Sequence, residues 1–118
     1  MKVLTAALAI AALAGAPAYA QDVTMKEEKP GLLKRAQITG AAATATAQAK
    51  VPKGKIVSAE IEEEHGKLLF SFEIRTAGKS GIDEVNVDAL TGKVLGVQHE
   101  TPQDEARERA ADKKKAAK

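Results

Sequence analysis

Between residues 56 and 97, apolar and polar side chains alternate in short runs with a period of two, the signature of half-buried strands. The clearest run is residues 53–74, KGKIVSAEIEEEHGKLLFSFEI, which reads as a β-hairpin. In its first arm Val57, Ala59 and Ile61 share one side, and Ser58, Glu60, Glu62 and Glu64 the other. His65-Gly66-Lys67 supplies the reversal, with Gly66 able to take positive φ. In the second arm Leu68, Phe70, Phe72 and Ile74 line one face, opposite Ser71, Glu73 and Arg75. A one-residue slip would drive glutamates into the core, so the hairpin register is strongly specified.

Two further strands follow the same rule. Residues 77–81 form a turn; residues 82–88 predict a third strand with Val85 and Val87 inward, Glu84 and Asn86 outward. Residues 89–92 form a tight turn in which Asp88 is placed to accept local backbone hydrogen bonds and Gly92 suits the left-handed region. Residues 93–99 predict a fourth strand with Leu95 and Val97 inward, Gly96 and Gln98 outward. Upstream, residues 38–51 change period. Thr39 is a helix N-cap signal before an Ala-rich run, Ala43, Ala47 and Val51 share a side with Ile38, and Pro52 stops the helix. The expected fold class is therefore α+β: one Ala-rich helix packed on a four-stranded antiparallel meander sheet.

The flanks differ from this region. Lys2, the short apolar run of residues 3–13, and the small-x-small motif Ala18-Tyr19-Ala20 before Gln21 have the order of a secretory signal peptide, cleaved after Ala20. The apolar run falls short of the ~20 residues that span a bilayer, so no stable membrane insertion is expected after cleavage. Residues 21–36 read as a flexible charged leader, in which Leu32 and Leu33 are a lone apolar pair. Residues 37–100 form the domain. Residues 101–118 carry alanines and charges without an apolar stripe, which predicts a disordered or weakly helical tail.

Composition then narrows the chemistry. The 118 residues carry a formal charge of +2, and losing Lys2 with the signal lowers it to +1, so the mature chain is a mixed polyampholyte. It has no cysteine, although an exported protein could form disulfides. Phe70 and Phe72 are the aromatics left after Tyr19, and both point inward, so no base-stacking surface or nucleic-acid partner is expected.

Residues 38–97 resemble the PepSY domain. The parts that carry the resemblance are Val51-Pro52 at the end of the helix, the acid-alternating strand of residues 54–62, the acidic turn of residues 64–66, the aromatic strand of residues 70–74, and above all VNVDALTGKV at residues 85–94. The helix departs from the family pattern in using Ala and Thr where larger apolar residues are usual. The resemblance implies an exported, bacterial, periplasmic or secreted protein. It also implies a non-catalytic module that binds or inhibits a protein partner, with an envelope protease or sensor as the natural class. It carries over no catalytic residue and no cofactor.

The surface that stands out is the outward sheet face, where Glu60, Glu62, Glu64, Glu73 and Glu84 gather with Arg75 as their cation. Like charges on neighbouring strands cost stability, so this face is a candidate for a basic partner or a divalent cation. Use of it by an envelope cation-binding or stress protein is the alternative to the protein-contact reading. His65 and His99, without cysteine, do not make up a zinc ligand set, and no metal site is assigned. The chain lacks Gly-x-Ser-x-Gly, His-Glu-x-x-His and phosphate-loop motifs, so no enzyme is expected. The small core leaves a homodimer open.

Overall fold

The computed structural model describes residues 23–116. The signal segment, with Ala18, Ala20 and Gln21, lies outside the described residues. The elements are β1 (Met25–Glu27), α1 (Leu32–Arg35), α2 (Gly40–Lys50), β2 (Gly54–Glu64), β3 (Lys67–Thr76), β4 (Ile82–Asp88), β5 (Val94–Glu100) and α3 (Pro102–Ala116). The strands form one sheet in the order β1-β2-β3-β4-β5. The last four pair antiparallel, as the alternation predicts, but β1 joins β2 in parallel. The class is α+β, and the expected four-stranded antiparallel sheet is corrected to a five-stranded mixed one.

Local chemistry accounts for the elements. Thr39 caps α2, its Oγ1 accepting from the Ala42 N–H at 3.0 Å. Ala43 and Ala47 of that helix are fully buried, with Ile38 and Val51 packed partly against the core at its ends. The β2–β3 hairpin closes through a two-residue turn in which His65 (φ 51°) and Gly66 (φ 79°) are both left-handed. Such turns twist in the same sense as the strands they join. After β4, Asp88 Oδ1 accepts from the N–H groups of Leu90 and Thr91 at 2.7 and 3.0 Å. Those bonds hold its carboxyl below the usual aspartate range.

The core lies between α2 and one face of β2–β4. Phe70, Phe72, Ile61, Ile74, Val85 and Val87 are its largest enclosed side chains. Pairing puts them side by side: Ile61 against Phe70, Phe70 against Val87, and Phe72 between Ala59 and Val85. The two phenyl rings stack at 6.4 Å.

Two strands depart from the expected phase, each at a bulge. The β2–β3 register shifts between Ile56 and Ser58, so Val57 is left unpaired and 47% exposed, while Ile56 takes the inward place opposite Ile74. The β4–β5 register shifts at Asn86/Val87, which pairs Val87 with Val94 and leaves Leu95 exposed. Val97 does lie opposite Val85, but it is 48% exposed because β5 is the sheet edge and, among the described residues, no further strand covers it. Leu69 and Ile82, on the outward side, are buried without joining the main core.

The leader is not a loose segment. Met25, Lys26 and Glu27 pair with Ala59, Glu60 and Ile61, and the Glu28 N–H donates to the Ile61 carbonyl at 3.0 Å. Leu32 is buried in the core, while Leu33 stays exposed. Glu27 accepts from the Leu33 N–H at 3.1 Å, and Arg35 pairs with Glu63. The tail expected to be disordered or weakly helical contains a 15-residue helix, α3.

Candidate functional site

The outward face of the sheet is built by parity. Strand pairing places Ser58 opposite Glu73, Glu60 opposite Ser71, Glu64 opposite Lys67, and Glu73 directly opposite Glu84. All five glutamates expected on this face are there, but they do not form a single patch. They divide between the two sides of the sheet, and each side gains carboxylates that strand alternation could not supply.

On the β1–β2 side the carboxyl oxygens of Glu28, Glu60 and Glu62 lie within 4.8 Å of one another. Glu28 comes from the chain just after β1, where its Oε1 also accepts from the Glu63 N–H at 3.4 Å. Burial, then a side-chain hydrogen bond with Glu60, then repulsion from Glu60, Glu64 and Glu28 push the Glu62 carboxyl up to about 8. A carboxylate whose neighbours are carboxylates keeps its proton, because like charges at this spacing cannot all ionise. Three converging oxygens are also the donor type that hard cations prefer.

On the β3–β5 side, Glu73 and Glu84 face Glu100 of β5 and Glu105 and Glu108 of α3. Glu73 is raised by burial and then by the charges of Glu84, Glu105 and Glu108, with a Ser58 hydrogen bond opposing. Glu100 is pushed up to about 7 by burial, then by Glu108 and Glu84, to both of which it is hydrogen-bonded. Arg75 is the cation expected here, donating to the Gly81 carbonyl at 3.4 Å and to Glu105 at 3.5 Å. Asn86 donates to Glu84 at 3.1 Å, while its own Oδ1 is buried without a hydrogen-bond partner.

Of the two histidines, His65 stands apart from both groups of carboxylates, whereas His99 lines a groove with Glu100 and Glu108 of the second. His65 sits in the exposed hairpin turn, 3.8 Å from Glu64. His99 Nδ1 lies 2.8 Å from Asp83, its partner across the β4–β5 pairing. Glu105 and Glu108 escape a reading of the sequence because a helix without an apolar stripe gives no reason to dock, and Glu100 because it falls one residue past the expected fourth strand. For Glu100 the signal was its parity with Gln98; for Glu105 and Glu108, their three-residue spacing. Glu28 had no signal, since its position depends on a three-residue strand.

A second surface is the outer edge of β5. No strand covers it among the described residues, and Leu95 and Val97 are 40% and 48% exposed along it. An open edge offers unpaired backbone groups to an extended segment of another chain.

The family model for PepSY, described as peptidase propeptide and YPEB domain, matches residues 37–98. That span covers α2 and β2 to β5 nearly to the end of the last strand, and leaves β1, α1 and α3 outside. No curated protein and no solved structure matches the chain.

Proposed function

The chain belongs to the PepSY family, and from that premise we propose that it is an exported, non-catalytic module that binds or inhibits a protein partner, a peptidase foremost. PepSY domains are known from peptidase propeptides and are generally regulatory. Such domains are typical of exported proteins, and among the described residues no helix is long and apolar enough to cross a membrane. The periplasm or the cell exterior is the compartment of this reading.

The observation that carries it is the open β5 edge. An extended peptide paired along Val94–Glu100 would satisfy the free backbone groups and cover Leu95 and Val97. The test is titration of the protein into secreted metallopeptidases, followed by inhibition and by backbone NMR shifts. Binding should move β5 resonances first, and Val97→Asp should weaken it at least tenfold while leaving the spectrum of the fold intact. Absence of inhibition and of β5 shifts at micromolar concentrations would remove the reading.

The convergence of Glu28, Glu60 and Glu62 favours a second reading, weak binding of a divalent cation. Calorimetry with calcium, zinc and copper should then show heat that Glu60→Lys abolishes. Identical traces for the two proteins would remove it.

A further inference from the structure

The antiparallel strands β2 to β5 have two outer edges, and the chain treats them differently. The β5 edge is open among the described residues, whereas the β2 edge is covered by residues 25–35 of the chain itself. There β1 pairs with Ala59–Ile61, and the Glu28 N–H donates to the Ile61 carbonyl at 3.0 Å. The Glu28 Oε1 accepts from the Glu63 N–H at 3.4 Å. Further on, the segment is tied down by Leu32, buried in the core, and by the ion pair of Arg35 with Glu63.

This cover is light. β1 is three residues long and parallel, in a sheet whose other described pairings are antiparallel, and parallel pairing is the less stable per residue. A hollow of about 220 Å³ opens beside it, with Thr24 and Lys26 on one wall and Val57 and Ser58 on the other. The carboxyl oxygens of Glu28, Glu60 and Glu62 converge within 4.8 Å, a crowding of like charges that works against the seated segment.

The edge beneath it matches β5 of another copy. Direction alternates from β2 to β5, so β5 runs opposite to β2, and a copy displaced along the sheet brings its β5 antiparallel to the β2 edge. Val97 shares the core side with its partner Val85, and Ala59 shares it with Phe72. With Val97 of the second copy beside Ala59, its Gly96 and Gln98 fall beside Glu60 and Ser58, so no two carboxylates meet along that stretch. Leu95 is the extra residue of the β5 bulge, and past it Lys93 falls beside Glu62.

We propose that residues 25–35 are a strap that keeps the chain from joining to itself: while seated they close the β2 edge, and when they lift, that edge takes β5 of a second copy. The joint sets one edge of a copy against the opposite edge of the next, so it is heterologous and the assembly grows without closing. It does not rest on what other protein the β5 edge binds.

Sedimentation velocity on the mature chain and two surface variants reads the joint directly. Glu28→Pro removes both the N–H given to Ile61 and the carboxylate that accepts from Glu63, and Arg35→Glu reverses the ion pair with Glu63; both positions are exposed. The parent should sediment as a monomer up to about 100 μM, and each variant should form a ladder of growing species at concentrations about tenfold lower or less. Adding Val97→Asp to Glu28→Pro should restore the monomer by placing a charge on the pairing edge. In that double variant amide exchange at Glu63 should be at least about tenfold faster than in the parent, while Phe72, inside the sheet, stays protected. The proposal is overturned if both strap variants stay monomeric, if their association stops at a dimer or survives Val97→Asp, or if the Glu63 amide of the double variant exchanges as slowly as the parent's.

Discussion

The two faces of this sheet are made by the same strands, one residue out of phase, and they respond to their surroundings in opposite ways. On the α2 side, Phe70, Phe72, Ile61 and Val85 are sealed from water, and every neighbour adds to the stability of the next. On the other side, Glu62, Glu73 and Glu100 are each raised by burial first and by a neighbouring carboxylate second. Crowding that stabilises the first face destabilises the second unless protons are retained. The first face sets whether the domain folds, and the second makes its energy depend on pH.

The largest break in that comparison is Phe72→Ala. It removes a fully enclosed ring stacked on Phe70, at a cost of about 3–5 kcal/mol. That is comparable with the whole stability of a small domain, so urea unfolding should lose most of its cooperative transition. A midpoint close to the parent's would mean that α2 does not seal this face.

Next comes Glu62→Gln on the acidic face. The fold raises this carboxyl from 4.5 to about 8, so the folded chain holds a proton that the unfolded chain has released. The parent's stability should fall as pH rises from 4.5 through 8, and the glutamine variant should not share that loss. The two should match near pH 4 and differ by about 1 kcal/mol at pH 8.5, solvent screening limiting the gap at a half-exposed group. Denaturant melts at the two values check this, and a pH-independent difference would assign the effect to packing.

The smallest effect sharpens the boundary between the faces at the β2 bulge. Val57→Thr should change stability by no more than about 0.5 kcal/mol, because the side chain is exposed and unpaired. Ile56→Val, one residue earlier, should cost about 0.5–1.5 kcal/mol. Equal losses would mean that the two residues share the inward position.

The hairpin could be read from the chain because Phe70, Phe72 and Ile74 alternate with polar residues over a full strand, and the glutamates of the opposite arm admit no other register. The phase of residues 56–57 could not. A bulge inserts one residue without changing composition, and Ile-Val looks the same whichever of the pair is buried. At β5 the same ambiguity misplaced Leu95, while Val97 had the right side but no cover. Glu60, Glu62, Glu64, Glu73 and Glu84 were legible as one face by parity alone. Their division into two groups was not, because Glu28 and Glu108 arrive from segments that carry no periodic signal.

The linear chain determines what short-range physics can express: the cap at Thr39, the stop at Pro52, the Asp88 turn, the strand alternation, and the PepSY pattern they make up together. Tertiary structure alone decides which distant residues become neighbours. It seats a three-residue strand against Ala59–Ile61 and brings Glu28 to Glu60 and Glu62. It also lays an Ala-rich charged helix beside Glu100. The reason is energetic. Local signals arise from the free energy of a few adjacent residues, whereas proton sharing and edge pairing arise only when surfaces from separate segments exclude water together.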